Sequence, residues 1–408
     1  MDWKTNRRIL LGVSGGIAAY KIPDLVRRMT GLGNAIEVVL TEAAETLVSP
    51  LALSTLSGRR AWRQKDFLDT EHGWEIPHIT LAEWAEIIVV APCTANMLRR
   101  AAHGEAETLL GAILLATRSP VLLCPAMNSN MWEHPSTVSH LETCIRAGFK
   151  VLQPDKGFLA CGTEGRGRLP SFEAIQEEVW RILSPKRDLA GKKVLVTAGP
   201  TREYLDPVRF ISNPSSGKMG YSMARTAWYR GAEVTIISGP VAVEAPPGIE
   251  VVPVESAEQM KDAVMERAEA SDFIVKAAAV GDYRPVSRSA EKIKRQAKNR
   301  LTVTFEQNPD IAGLVGAGKR PGQVLIGFAA ESHDLEKNAY EKIHRKNLDF
   351  IVANKITGEN GAFGSDHNMI QILDRGGARQ TFSGTKEEAA WAVWDFAAGT
   401  GSAVAQGS

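Results

Sequence analysis

A chain of 408 residues exceeds what one ordinary hydrophobic core supports, so two domains of about 200 residues are expected. Hydrophobic residues at 44% and charged residues at 23% are average for a globular protein and exclude disordered or collagen-like classes. A formal net charge of +1 gives no overall field for nucleic acid or anionic lipid, and no apolar run nears the roughly 20 residues of a membrane span.

The first residues lead directly into a strand-like segment without a signal-peptide core, which points to a cytoplasmic protein. Residues 9–13 predict a strand, Ser14-Gly-Gly-Ile-Ala-Ala-Tyr-Lys opens a helix to about Arg28, and Glu37-Val-Val-Leu-Thr resumes as a strand. Ile87–Ala91, Val121–Cys124 and Lys150–Gln153 follow as strands with helical patterns between them, the alternation of a parallel, doubly wound sheet. A polar stretch around Leu183–Lys193 reads as a linker. After it the pattern restarts with strand Val194–Pro200, a glycine-containing loop, a helix from Lys218 and strand Glu233–Ile237. Ser256-Ala-Glu-Gln is a capping box opening a helix over 257–270. Asp272–Val280, Gln323–Phe328 and Phe350–Asn354 supply further buried-type strands, and Gly399–Ser408 reads as a frayed tail. The expected fold is α/β, with two tandem doubly wound Rossmann-like domains over 1–186 and 187–408.

The four cysteines, Cys93, Cys124, Cys144 and Cys161, form no CxxC pair, and no His/Cys spacing suggests zinc. The glycine loop Gly12-Val-Ser-Gly-Gly-Ile, between strand and helix, suits a phosphate as well as a tight structural turn. Its spacing departs from G-x-G-x-x-G, although Glu42 as a ribose-binding acid keeps a nicotinamide reading open. Ser14, Gly15, Gly16 and Thr41, at strand ends, are the candidate cofactor-binding residues. Four motifs follow in order: His78-Ile-Thr-Leu-Ala-Glu-Trp-Ala, Ala91-Pro-Cys-Thr-Ala-Asn-Met, Pro125-Ala-Met-Asn-Ser-Asn-Met-Trp and Leu159-Ala-Cys-Gly-Thr-Glu-Gly-Arg-Gly-Arg.

Taken together after the glycine loop, these motifs resemble the homo-oligomeric flavin-containing cysteine decarboxylases, above all phosphopantothenoylcysteine decarboxylase, over about Arg8–Ile175. The resemblance implies FMN as the cofactor, with Thr94 and Asn96 in the flavin-facing motif. It also implies His78 as base or positioning residue, Asn128 as holder of the substrate carboxylate or amide, and Cys161 as proton donor. Glu107 and Thr108 stand where the family commonly has an Asp-Asn pair.

Thr197-Ala-Gly-Pro-Thr-Arg-Glu-Tyr continues to Asn213-Pro-Ser-Ser-Gly-Lys-Met-Gly and fails as a Walker A loop. Ser212 occupies the first glycine position, and Met219 replaces Ser/Thr. With Ala277-Ala-Ala-Val-Gly-Asp-Tyr-Arg, Glu291-Lys-Ile-Lys, Asn308-Pro-Asp-Ile, Gly327-Phe-Ala-Ala-Glu and Lys346-Asn-Leu-Asp-Phe, it resembles phosphopantothenate–cysteine ligase over Lys192–Leu373. Bacterial enzymes of this kind fuse both activities in this order and use CTP, so the resemblance implies 4′-phosphopantothenate, L-cysteine and CTP as substrates, with Mg²⁺ accompanying CTP. It assigns activation at the phosphate to Lys292 and the hold on the acyl-cytidylate to Asn213. Nucleotide binding falls to Ala278, Asp282, Asn308, Pro309, Asp310, Ile311, Phe328, Lys342 and Lys346. Arg209 belongs near phosphopantothenate.

Ordinary solvated charge competes as a reading of the lysines, although Lys342 and Lys346, spaced i,i+4, share a helical face. Gly281 stands where relatives often carry alanine or serine. Decarboxylase relatives form trimers and ligase domains pair, so a homo-oligomer, a dodecamer by analogy, is expected, with no nucleic-acid or membrane partner. Two alternatives remain at this stage: another flavin-dependent cysteinyl decarboxylase, such as one acting on a peptide, and a non-catalytic flavin-binding regulatory subunit.

Overall fold

The computed structural model describes residues 3–68, 76–294, 301–331, 335–355 and 367–404. It divides into two compact units, Met1–Pro185 and Lys186–Ser408.

In the first unit β1 (Arg8–Val13), β2 (Ala35–Leu40), β3 (Ala61–Trp62), β4 (Ile87–Cys93), β5 (Val121–Pro125) and β6 (Lys150–Val151) form one sheet. Its order is β3-β2-β1-β4-β5-β6, with every pair parallel. Strand β4 is buried along its whole length, as a strand covered by helices on both faces must be, and this explains its unbroken apolar sequence. The helix Ile22–Gly31 carries proline in its first turn and buries Ile22, Leu25, Val26 and Met29, an i, i+3, i+4, i+7 stripe. Each fully buried aliphatic side chain contributes about 1.5–3 kcal/mol relative to exposure. The chain reverses its winding between β1 and β4, and ligands in such sheets gather at the strand carboxyl ends beside that reversal.

The glycine-rich segment after β6 is an antiparallel hairpin, β7 (Asp155–Phe158) with β8 (Glu164–Arg168). Its side chains are mostly exposed, so no apolar alternation in the sequence announces it.

The second unit is built on β9 (Lys193–Ala198), with a ribbon of β10 (Arg202–Tyr204) and β11 (Phe210–Ser212). Next come β12 (Glu233–Ser238), β13 (Glu250–Pro253) and β14 (Phe273–Lys276), and a second ribbon of β15 (Tyr283–Pro285) and β16 (Phe305–Gln307). β17 (Val324–Glu331), β18 (Phe350–Lys355), β19 (His367–Asp374) and β20 (Arg379–Thr385) complete it. The main sheet runs β13-β12-β9-β14-β17-β18-β19-β20. Five of its pairings are parallel, whereas β19 and β20 extend the edge in antiparallel sense. The purely parallel reading of the sequence does not include that edge. β19 buries alternate residues along most of its length, which gives a weaker signal than a continuous apolar run.

The capping box at Ser256 and Gln259 forms as expected and opens the helix Ala257–Ala268. The helix Lys218–Tyr229 packs against β9 on one side and the last helix on the other, which is why it is buried nearly all round. At its end the buried Arg230 pairs with Asp188 and, at 2.7 Å, with Asp395 of the last helix. That helix, Lys386–Val404, continues five residues past Gly399, where the sequence suggests fraying; residues 405–408 lie outside the described residues. Among the described residues no helix is long and apolar enough to cross a membrane.

Two candidate active sites

At the winding reversal of the first unit lies a cavity of about 890 Å³. Ser14, Gly15, Gly16, Thr41, Thr94 and Asn96 all line it, as do Asn128 and Cys161. The glycine loop turns tightly: a Cβ on Gly15 would sit 2.3 Å from the Ala43 Cβ, so a side chain there would drive apart the ends of β1 and β2. Ser14 is buried, and its hydroxyl donates to the Pro92 carbonyl at 2.7 Å while accepting from the Thr94 amide at 2.9 Å. The hydroxyl therefore braces the loop against the end of β4 instead of standing free as a donor. Thr94 caps the helix Ala95–His103 by accepting from the Met97 amide, and Thr41 caps the short helix Glu42–Glu45 through the Ala44 amide. Thr108 does the same for Leu109–Ala116 through the Gly111 amide at 3.2 Å.

The β7–β8 hairpin reaches over this cavity. The Met127 amide donates to the Gly167 carbonyl at 2.9 Å, holding the hairpin beside Asn128, and Cys161 lies in its turn. Asn128 Nδ2 donates to Cys161 Sγ at 3.2 Å, and the Thr163 hydroxyl lies 3.1 Å from the same sulfur. The Thr163 and Asn128 hydrogen bonds favour the thiolate and hold the exposed Cys161 thiol below its ordinary value. Burial pushes the thiols of Cys93, Cys124 and Cys144 the other way, which leaves Cys161 as the chemically available cysteine.

His78 does not line this cavity; its ring packs edge-on against Phe67, with centroids 5.5 Å apart, and its buried Nδ1 has no hydrogen-bond partner. Around it Leu68, Ile76 and Ile79 are exposed. Arg100 is a lining residue that sequence reasoning missed, with Nη1 buried and unpartnered. Its signal is position on the helix that Thr94 caps, two turns in, but an arginine at a helical surface position reads as solvated charge.

In the second unit a cavity of about 640 Å³ opens at the ends of β14 and β17 and at the N-terminus of Lys218–Tyr229. It gathers Asn213, Ala278, Asp282, Asn308, Pro309, Asp310, Ile311, Phe328, Lys342 and Lys346 from five separate sequence segments. Asn213 Nδ2 donates to the Val280 carbonyl at 3.1 Å, and Asn308 Nδ2 to the Gly281 carbonyl at 2.8 Å. These bonds hold the Ala277–Asp282 segment against both flanking loops. A Cβ on Gly281 would meet only ordinary contacts of 3.5 Å and more, so the glycine found there changes little.

Lys346 Nζ pairs with Asp310 at 2.8 Å. Burial pushes the Asp310 carboxyl up, but the Lys346 and Gly313 hydrogen bonds outweigh it and hold the group below the usual range. Gly217 opens the helix at φ +73° with no side-chain cap. Lys276, which sequence reasoning passed over inside an apolar strand, also lines the cavity. It is 8% exposed, and burial lowers its pKa to about 7.

Arg209 and Lys292 stand apart from this cavity. The Asp206 carboxylate accepts from the Ile293 amide at 3.1 Å and from the Arg209 amide at 2.7 Å, while the Arg209 guanidinium donates to the Ile293 carbonyl. Both cations therefore belong to one lobe, with Lys292 exposed upon it. Among the described residues, no group of three or more His, Cys, Asp or Glu side chains is arranged to hold a metal ion.

The geometry agrees with what the chain is similar to. A family described as flavoprotein matches residues 2–184, and one described as DNA/pantothenate metabolism flavoprotein C-terminal domain matches residues 189–399. The coenzyme A biosynthesis bifunctional protein CoaBC of Vibrio cholerae is 40% identical over 96% of this chain and 98% of its own length. The chain belongs to the CoaBC family. The CoaBC protein of Escherichia coli is 42% identical over 90% of each chain, and that of Bacillus subtilis is 40% identical over 92% of each. Among solved structures, the C-terminal domain of a CoaBC protein is 37% identical, covering 53% of this chain and 98% of that one, with a TM-score of 0.45. A mutant PPC decarboxylase complexed with pantothenoylaminoethenethiol is 30% identical, covering 43% of this chain and 96% of that one, with a TM-score of 0.40. This CoaBC-family chain is thus a bifunctional enzyme of coenzyme A biosynthesis: a flavoprotein decarboxylase and a ligase in one polypeptide.

Proposed function

We propose that the second unit joins 4′-phosphopantothenate to L-cysteine at the expense of CTP, and that the first unit, with FMN bound, decarboxylates the product to 4′-phosphopantetheine. The observation that carries this is the contact of Asn128 and Thr163 with Cys161 at the mouth of the first cavity, together with the multi-segment cavity at the helix N-terminus of the second.

FMN fits the first cavity in size and in lining, with the glycine loop, the Thr94-capped helix and the unpartnered Arg100 Nη1 all facing it. When bound, FMN would supply a reversible two-electron oxidation of the cysteinyl thiol carbon, which makes loss of CO₂ feasible, and would return the electrons afterwards. Asn128 positions the substrate carboxylate or amide, and Cys161 delivers the proton that ends the reaction. Its turn between β7 and β8 suits a flap that excludes water. His78 would complete the site from a neighbouring copy in a trimer. That assignment draws on its exclusion from the cavity of its own chain and on the exposed Leu68, Ile76 and Ile79 around it.

In the second unit a carboxylate oxygen of phosphopantothenate attacks the α-phosphorus of CTP, and the bond to pyrophosphate breaks. The cysteine amine then attacks the acyl carbon, forms the amide and expels CMP. Asn213 holds the acyl-cytidylate, while Asp282, Asn308–Ile311, Ala278, Phe328, Lys342 and Lys346 form the nucleotide pocket. Neither Lys292 nor Arg209 lines the cavity of its own unit, so Lys292 would stabilise charge at the α-phosphate, and Arg209 would take the phosphopantothenate end, from the lobe of a paired ligase unit. Mg²⁺ arrives on the triphosphate, keeping water and phosphate oxygens as its main ligands. The substrates are small and water-soluble, which fits an enzyme working in the cytoplasm.

The test is mass spectrometry of products from phosphopantothenate, cysteine and CTP, repeated with ATP. The expected result is 4′-phosphopantetheine, CMP and pyrophosphate, with ATP supporting little turnover. Equal turnover with ATP would remove the pyrimidine assignment, and intact triphosphate with all substrates present would remove the ligase scheme.

A further inference from the structure

We propose that Lys276 is a further phosphate-binding residue of the ligase, its ammonium meeting the nucleotide's triphosphate from the floor of the second cavity. This rests on reading that cavity as the nucleotide site.

Lys276 ends β14, a central strand of the sheet, at the carboxyl edge where ligands collect. More than nine-tenths of it is buried, and its Nζ has no hydrogen-bond partner, a costly arrangement for an ammonium. The groups facing it are Asp310, which favours its charge, and Lys346, which opposes it. Those two are already engaged with each other at 2.8 Å. Lys342, Arg345 and Lys386 line the same cavity, as do the backbone groups of Gly217–Gly220 at the helix start. Apart from Asp310, the acidic residue lining it is Asp282. A cavity with more cationic than acidic lining residues around an unpartnered, buried amine is the electrostatic complement of a polyanion. The triphosphate is the part of the nucleotide that carries the charge such a cavity would neutralise.

Burial lowers the Lys276 pKa to about 7, so near neutral pH the amine is substantially uncharged before the ligand arrives. Phosphate oxygens at hydrogen-bond distance restore the charged form. Nucleotide binding therefore takes up a proton, and affinity falls as pH rises through the value of the free group.

Calorimetric titration of CTP with Mg²⁺ into the full chain, in buffers of different ionisation enthalpy at about pH 8, reads this uptake. Wild type should take up close to one proton more per CTP than K276M, as linkage requires of a group with a pKa of about 7. K276M should bind CTP roughly 10–100-fold more weakly, the loss of one charge-assisted contact, with phosphopantothenate affinity and decarboxylation of supplied phosphopantothenoylcysteine unchanged. Equal CTP affinity, persistent proton uptake, or a loss confined to phosphopantothenate overturns the inference. Should K276M fail to fold, wild type alone decides. Its CTP dissociation constant should rise roughly 20-fold between about pH 7.5 and 9, where the nucleotide phosphates are already ionised, and a flat profile overturns the inference. Wild type that binds no CTP refutes the reading of the cavity itself; binding by wild type with an unaffected variant refutes only the role of Lys276.

Discussion

Replacing Gly217 by alanine isolates the contribution of one backbone position to the ligase site. Gly217 precedes the helix Lys218–Tyr229 at φ +73°, a conformation that costs an L-residue about 1–2 kcal/mol. A Cβ there would lie 2.7 Å from Val241 Cγ1 and 3.4 Å from the Gly199 amide nitrogen. Overpacking of that kind adds about 1–3 kcal/mol, although Val241 can yield in part. The sum is about 3 kcal/mol, and for a unit of this size each kcal/mol lowers the melting temperature by about 2–4 °C. G217A should therefore lower the melting temperature of the ligase unit by about 6–12 °C in calorimetry and weaken CTP binding, while decarboxylation persists at wild-type rate. V241A in the same chain should recover the steric share and leave the φ share, a non-additivity that a double-mutant cycle resolves. A G217A protein with wild-type melting and wild-type CTP affinity would refute the reasoning, because it would mean that neither the φ nor the contact constrains this turn.

Four other outcomes are expected. C161S should lose CO₂ from phosphopantothenoylcysteine yet stall before saturation, so mass spectrometry should find the oxidised ene-thiol product; normal 4′-phosphopantetheine would remove the proton-donor role. T163V deletes the leading cause of the depressed Cys161 thiol value, so that value should rise. The thiol is a proton donor only below its pKa, so the alkaline limb of single-turnover product formation should move to higher pH, and an unmoved limb would disconnect Thr163 from the chemistry. K292Q should abolish ligation while sparing decarboxylation of supplied intermediate, and H78A mixed and reassembled with C161S should regain part of the activity that each lacks. Failure of that complementation would place His78 outside a shared site.

The alternation of apolar strands and amphipathic helices was readable from the chain because burial on two faces forces an unbroken apolar strand, as in β4, and burial on one face forces an i, i+3, i+4 stripe, as in Ile22–Met29. The Ser256 capping box was readable for a local reason, since caps act over three or four residues, and the entry at Lys218 was readable from the glycine before it. The candidate site residues were readable as ordered motifs, each carrying the residue types its chemistry needs. Several features needed the folded chain. The antiparallel edge of β19 and β20 depends on pairing between segments, and the β7–β8 hairpin is too exposed to leave an apolar pattern. Ser14 shows the same limit: its hydroxyl turns inward to the Pro92 carbonyl across a separation of 78 residues. Arg100 and Lys276 are ordinary cations in the linear chain, and only burial against residues distant in sequence leaves Arg100 Nη1 and Lys276 Nζ without partners. Local sequence specifies which groups are present and how each segment bends, whereas solvation and long-range contact, which set the charge and availability of those groups, are properties of the packed structure alone.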